Sequence, residues 1–356
     1  MIPPAPRWVC LQLLQACNLR CTLCYEWGET GAYLKAGRSP VLDLDVIERI
    51  VLELAPYRPH YDLFGGEPLL HPRIDRVLEA IKQAGSTVYL VTNGTTLEEH
   101  AELLATAPVE LVWISIDGPE PINDRQRGAG TFARIARGAE ALRAARERRG
   151  GHLPRIGASM AVTPLNHAFI EETFLHAIDR RVFDQASIEY QSFITPNQLQ
   201  EYGHILGERF DRHEVRHASA FVREPAELAS IDAEEVTRQV DRVRTAWSSE
   251  GKRVLTKPLT ITPAATRAYF EGRIEGLADY HPRCLFPWLY AEVAATGEVT
   301  PCHAFYDLTF GNVRERPLLD IWRSEQFDKA RAFFQERLMP VCAACCLYHT
   351  RPDPSA

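Results

Sequence analysis

Three cysteines, Cys17, Cys21 and Cys24, are separated by three and then by two residues in the run ACNLRCTLC. A loop this short brings three thiolates to one metal centre. An iron-sulfur cube closed by protein takes four such ligands, so three leave one iron open, and an open coordination position is where a metal centre receives substrate or cofactor. Zinc is the competing reading, with its fourth ligand drawn from the Cys at the far end of the chain. Those are Cys284, Cys302, Cys342, Cys345 and Cys346; with Cys10 the total is nine, and none lies between residues 25 and 283. Cys10 sits inside an apolar run and reads as a buried small hydrophobe. Arg20, between the thiols, reads as a loop-packing residue.

Composition narrows the setting. The start, MIPPAPRW, lacks the basic and apolar regions of a signal peptide, and no apolar run of about 18 residues is present to span a bilayer. The expected location is the cytoplasm, where clustered Cys argue for metal or redox chemistry before disulfides. Net charge is -7 with pI near 6.0, and Lys and Arg are scattered, which excludes nucleic acid as the main partner.

Over residues 1–195 short apolar runs alternate with segments of helical period. Strands are expected at Trp8 to Leu14, Tyr61 to Phe64, Val88 to Thr92, Glu110 to Ile116, Ile156 to Val162 and Ser187 to Phe193. Between them Ile47, Ile50, Val51 and Leu54, then Ile74, Val77, Leu78 and Ile81, then Phe132, Ile135, Ala139 and Leu142 mark helices, and RAARERRGG closes the last of these as a solvated turn. Such alternation builds a parallel sheet by right-handed crossovers. The working loops then lie at the C-terminal ends of the strands. The thiol loop falls there, as do Gly65-Gly66-Glu67-Pro68, the Asn93 loop, and Ser115 to Gly118.

GGEP has its own chemistry. Glycine lets backbone approach a ligand closely, the Glu67 carboxylate can accept a charge-assisted bond from an ammonium group, and Pro68 restricts the backbone that holds Glu67. An amino-acid end on a cofactor fits this loop.

With CNLRCTLC and GGEP in strand order, the sequence resembles the radical S-adenosylmethionine (SAM) enzymes over roughly residues 8–195. The resemblance implies an α/β fold, a partial (β/α)6 TIM-like barrel followed by a C-terminal Cys-rich auxiliary-cluster domain. It also implies that Cys17, Cys21 and Cys24 hold a [4Fe-4S] cluster with an open site for SAM, and that Gly65, Gly66, Glu67 and Pro68 meet the cofactor's amino group. Asn93, Ser115, Asp117 and Arg127 are the further cofactor residues, with Asn123, Asp124 and Gly128 alongside. Leu23 stands where the family often has an aromatic residue, and Tyr25 is expected to take over part of the adenine packing.

The end of the chain resembles the SPASM or twitch auxiliary-cluster region: Cys284, then Cys302 after GEVTP, the stretch GNVRERPLLDIW, then Cys342 and Cys345. A full SPASM domain carries more Cys than Cys346 alone after the last pair. One auxiliary [4Fe-4S] cluster is therefore expected, on Cys284, Cys302, Cys342 and Cys345, with Cys346 the alternative to Cys345 and His349 a distant one. A structural zinc knot is the competing reading. The expected domains are residues 1–195 (barrel), 196–280 (a mostly helical bridge) and 281–356 (auxiliary cluster).

The function these expectations add up to is an oxidoreductase. Cleavage of SAM produces a 5'-deoxyadenosyl radical that takes a hydrogen atom from a small metabolite or a peptide, and the auxiliary cluster accepts an electron. Flavodoxin or ferredoxin is the expected donor. A peptide maturase forming a crosslink or epimer is the alternative within the superfamily, although only 16 residues precede Cys17 for a leader-binding domain at that end. The GTP cyclase of molybdopterin synthesis is a relative whose Gly-Arg-Arg ending the tail RPDPSA lacks. A non-catalytic iron-sulfur or zinc protein is the alternative from outside the enzymes. Tyr190 and His303 are among several residues able to serve as base.

Overall fold

The structure is a computed structural model that describes residues 2–34, 39–273, 275, 277, 280, 282–301 and 306–345. Among the described residues nine strands form one sheet: β1 (Trp8–Gln12), β2 (His60–Phe64), β3 (Thr87–Thr92), β4 (Val109–Ser115), β5 (Arg155–Val162), β6 (Gln185–Tyr190), β7 (Arg253–Lys257), β8 (Tyr290–Val293) and β9 (Val299–Thr300). Their order is β7-β6-β5-β4-β3-β2-β1-β8-β9. Every pairing is parallel except β8 with β9. β7 and β9 are the two ends of this row, so the barrel is partial and not closed.

Alternation along the strands separates two faces. Val9 and Leu11, Tyr61 and Leu63, Val88 and Leu90, Val112 and Ile114, Ile156 and Ala158 form the outer face and are buried. Against them lie the stripes of the crossover helices: Val46, Ile47, Ile50 and Leu54 of Leu44–Leu54, Val77, Leu78 and Ile81 of Ile74–Gln83, and Ile135, Ala139 and Leu142 of Thr131–Arg148. Each fully buried Leu or Ile is worth roughly 1.5–3 kcal/mol, so this outer interface holds the sheet in shape. The inner face is different: register places Trp8, Cys10 and Gln12 beside His60, Asp62 and Phe64, and carries the same face on to Tyr89, Trp113, Gly157, Ser187, Tyr290 and Glu292.

The strands depart from the sequence expectations in places. β1 ends at Gln12, and Leu14 instead forms an isolated bridge with Val41. β6 ends at Tyr190, short of Phe193. Segment 196–280 contains helices Pro196–Phe210, Ala233–Ser249 and Pro263–Phe270, but it also supplies β7, which pairs with β6. A charged strand of RVLTK type gives little apolar alternation to read. Likewise β8, from the last segment, pairs with β1 and continues the same sheet.

The Arg-rich end of Thr131–Arg148 is not a solvated turn. The helix runs through it, and Arg146 is buried, donating to Asp184 at 2.5 Å and to the Pro154 carbonyl at 3.1 Å. Paired charge permits burial that composition alone argues against. Arg143 and Arg148 on the same helix remain in exposed ion pairs.

Candidate active site

The thiol loop leaves β1 and is held by its own backbone. Cys24 N–H donates to the Cys21 carbonyl at 3.1 Å, Gly28 N–H to the Cys24 carbonyl at 2.8 Å, and Thr22 N–H to the Gln126 carbonyl at 3.0 Å. Arg20 packs the loop as expected, donating to the Cys17 and Leu19 carbonyls and lying 4.4 Å over the Trp27 ring. Two sulfurs receive backbone N–H groups: Cys17 from Leu19 at 3.4 Å and Cys24 from Trp27 at 3.3 Å. Asn93 Nδ2 approaches Cys17 Sγ at 3.8 Å.

Burial pushes the Cys17 thiol up to about 11 and the Cys24 thiol up to about 12. Burial also raises Cys21, against the opposing charge of Arg127. Thiols in that state become ligands only by surrendering protons to a metal. Among the described residues no three His, Cys, Asp or Glu side chains converge at metal-ligating spacing. The fit to an iron-sulfur cluster rests on the donor type: three thiols on one loop, two of them already hydrogen-bonded in the way that steadies a thiolate.

Gly65 and Gly66 press against the start of this loop. Gly66 N–H donates to Leu14 and Glu67 N–H to Ala16, at 2.9 and 3.0 Å. A Cβ on Gly66 would lie 2.3 Å from the Ala16 carbonyl oxygen, and Gly65 has φ of +142° with its own Cβ position 2.5 Å from the Leu14 oxygen. Only glycine fits either place. Pro68 then opens the short turn Pro68–Leu70.

Glu67 is fully buried. Its Oε1 accepts from Thr92 Oγ1 at 2.7 Å and from Leu69 N–H at 3.2 Å, and its Oε2 accepts from Asn93 N–H at 2.7 Å. Burial nevertheless outweighs these bonds and holds the carboxyl up at about 7. Asn93 also donates to Asn18 Oδ1 at 2.9 Å, so the loops after β1, β2 and β3 form one bonded unit.

Asp117, just beyond β4, is fully buried and pairs with Arg127 Nε at 2.6 Å while accepting Ala161 N–H at 3.1 Å. Asn123 accepts the Asp117 N–H at 3.0 Å, and Asp124 caps the next helix by accepting Phe132 N–H at 2.9 Å. Ser115 ends β4 on the inner face. Tyr25 stacks on Phe221, with ring centroids 4.3 Å apart.

A cleft of about 210 Å³ opens beside the thiol loop, lined by Thr22, Leu23, Gln126, Thr163, Leu165 and Gln191 among others. Gln126 is one that sequence reasoning missed. Its Oε1 accepts Thr163 Oγ1 at 3.0 Å, while its buried Nε2 has no hydrogen-bond partner among the described residues. Its position immediately before Arg127 was the available signal.

Beside β1 and β8, Cys345 lies in a small apolar cluster with Cys10, Phe286 and Tyr290, and Cys284 packs on it. Cys342 belongs to the main core, one turn away in Pro340–Ala344. Cys302, Cys346, His303 and His349 lie outside the described residues. Glu292 is a second residue missed: a fully buried carboxylate on the inner face of β8 that accepts the hydroxyls of Tyr290 and Tyr306. A lone acid inside LYAEVAA was its trace. Tyr190 points the other way. It lies on the outer face among Tyr269 and Phe270, with its hydroxyl 2.5 Å from Thr266 Oγ1, because strand alternation turns it from the inner chamber.

Comparison with known proteins agrees with this geometry. Residues 11–153 match the model of the radical SAM superfamily, and residues 284–346 match SPASM, an iron-sulfur cluster-binding domain. The chain is 25% identical over 368 residues to the tungsten-containing aldehyde ferredoxin oxidoreductase cofactor-modifying protein of Pyrococcus furiosus, covering 96% of this chain and 87% of that one. It is 28% identical over 352 residues to the AdoMet-dependent heme synthase of Methanosarcina barkeri, covering 96% and 88%. Among solved structures, SuiB of Streptococcus suis bound to S-adenosylmethionine superposes with a TM-score of 0.65 at 17% identity, over 98% of this chain and 72% of that one. Among the described residues no helix is long and apolar enough to cross a membrane.

Proposed function

Because this chain belongs to the radical SAM superfamily and carries a C-terminal SPASM iron-sulfur domain, we propose that it oxidises a small metabolite at an unactivated C–H bond. The two domains imply a [4Fe-4S] cluster, SAM and auxiliary iron-sulfur chemistry. When bound, these groups supply one-electron cleavage of the SAM C5'–S bond, hydrogen-atom abstraction from the substrate, and an acceptor for the second electron.

The protein's own part is to hold and orient. Cys17, Cys21 and Cys24 are the ligands of the first cluster. Glu67 uses three acceptor positions on Leu69, Thr92 and Asn93. Most of the roughly four positions a carboxylate offers are thus taken inside the protein, so the buried Glu67 fixes the GGEP turn against the loop after β3. Asn93 steadies Cys17, and Arg127 sets positive charge beside Cys21 while Asp117 fixes its direction. Gln126, whose buried Nε2 has no partner among the described residues, lines the cleft with Thr22 and Leu23 and could meet a ring acceptor there after a side-chain turn. Ser115 and Tyr25 border the same end of the sheet. Cys284, Cys302, Cys342 and Cys345 or Cys346 hold the auxiliary cluster.

One observation carries this reading: three thiols on one loop, bonded through Asn93 and Glu67 to the GGEP turn. A small-molecule substrate is favoured over a peptide by the two relatives that span nearly the whole chain, whose names describe cofactor modification and heme synthesis. Anaerobic reconstitution with iron and sulfide, followed by reduction with dithionite or flavodoxin and assay for 5'-deoxyadenosine and methionine, tests it. Protein with full iron content that forms neither product would refute the proposal. Cys342→Ala separates the two clusters: retained 5'-deoxyadenosine with loss of substrate oxidation places the auxiliary cluster in the second step.

A further inference from the structure

Trp113 differs from the other well-packed tryptophans of this chain. Trp247 and Trp322 are fully buried and donate their indole N–H groups to the Phe174 and Pro3 carbonyls, both at 3.2 Å, and Trp27 donates to Gln15 at 2.6 Å. Trp113 is only half-buried. Among the described residues it makes no hydrogen bond and no ring contact, and its N–H is not sealed from solvent.

Register puts Trp113 on the inner face of β4, between Val91 and Gly157. A Cβ on Gly157 would lie 2.3 Å from Cε3 and 2.4 Å from Cζ3 of the indole. The ring therefore lies flat over the bare backbone of β5. Glycine in a strand interior forfeits packing and marks close approach by another group; here the group is the indole. Ser115 is two residues further along the same face, and at a rise of about 3.3 Å per residue Trp113 lies about 7 Å deeper in the partial barrel.

By register the nearest inner-face neighbours of the indole are Val91 on β3 and, beyond Gly157, Gln185 on β6, and ionisable groups of the same face stand on strands further out. On one side Asp62 Oδ1 and His60 Nε2 are buried and meet only each other, at 3.5 Å. On the other, Glu189 accepts Ser187 Oγ at 2.9 Å and pairs with Lys257 at 3.0 Å. An apolar ring with ionisable groups further out on the same face matches a flat molecule with a polar edge. Aromatic faces prefer offset-stacked partners.

We infer that Trp113, laid over Gly157, is the floor of the substrate chamber, and that the substrate carries a planar conjugated ring that stacks on it. This rests on the radical SAM reading above and names the substrate class for that site. Gly157 is a positioning residue, since it acts through the indole.

The test uses cluster-loaded, SAM-bound protein under anaerobic conditions and two planar probes, neopterin and coproporphyrin III, with myo-inositol as the non-planar comparator. Calorimetric titration is expected to show binding of at least one planar probe and none of myo-inositol. Trp113→Ala is expected to weaken that binding by about 10-fold or more, the scale of aromatic stacking on a ring. Trp113→Phe should restore it to within about threefold, and Gly157→Ala, whose methyl displaces the indole, should weaken it like Trp113→Ala. Iron content and melting temperature confirm that each variant is folded. Equal affinity in wild type and Trp113→Ala, or no planar probe bound, overturns the inference. Wild-type protein that forms 5'-deoxyadenosine but binds neither probe overturns the chamber alone, whereas protein that forms none overturns the reading beneath it.

Discussion

Glu67 and Asn93 are joined by a 2.7 Å bond from the Asn93 backbone N–H to Oε2 of a carboxylate with no exposed surface. Through it the loop after β2 and the loop after β3 act as one piece, and Asn93 passes the connection on to Asn18 and Cys17. Displacing Glu67 thus disturbs the thiol loop as well as its own turn.

The stability of the cluster-free protein should carry a Glu67 signature. Burial raises its carboxyl from 4.5 to about 7. A raised folded-state value means the fold binds the proton more tightly than the unfolded chain. The stabilisation is therefore fully present below pH 4.5 and lost as pH rises through about 7. Relative to Glu67→Gln, wild type should lose on the order of 3 kcal/mol of unfolding free energy between pH 4.5 and 8. Urea titrations of both proteins across that range measure it, and a difference independent of pH would refute it.

Gly66→Ala should damage the site without touching a ligand. The added methyl meets the Ala16 and Gln15 carbonyl oxygens at 2.3 and 2.4 Å, both backbone atoms that cannot swing aside. Overpacking of this kind costs about 1–3 kcal/mol. The expected outcome is a lower melting temperature together with reduced iron loading. Normal values for both would show that the two loops separate freely.

Loading of the first cluster should release protons. With Cys17 near 11, Cys24 near 12 and Cys21 also raised, all three thiols are protonated at neutral pH before the metal arrives. Reconstitution in weakly buffered solution should release about three more protons in wild type than in the Cys17→Ala, Cys21→Ala, Cys24→Ala triple variant. Equal release would mean the thiols were already ionised.

Asp117→Ala should be among the more destabilising substitutions in the chain. It leaves the Arg127 guanidinium, with a side chain only 10% exposed, without its carboxylate. Breaking a buried pair from one side costs about 3–5 kcal/mol. Asp117→Ala with Arg127→Met should recover part of that loss in chemical denaturation, and a double variant weaker than the sum of the singles would argue against the pairing as its source.

Much of the architecture was legible along the chain because parallel strands buried by helices read as short apolar runs. β2 to β5 and their helices follow from periodicity. β7 escaped notice because an edge strand, RVLTK, has exposed and half-buried residues and no apolar face to reveal it. Arg146 misled for the opposite reason, since its burial depends on Asp184, which lies 38 residues away.

For the site, order along the chain was enough to assign chemistry: the spacing of Cys17, Cys21 and Cys24 and the GGEP turn state ligand type and cofactor class locally, because thiol donors and glycine backbone act within one loop. Which side chains face one another was settled by folding. The acceptors of Glu67, the pairing of Asp117 with Arg127, the Glu292 carboxylate between two tyrosines and the indole over Gly157 all join residues on different loops or strands. Such contacts depend on register and strand alternation, where a shift of one residue turns a side chain to the opposite face. No linear pattern encodes them.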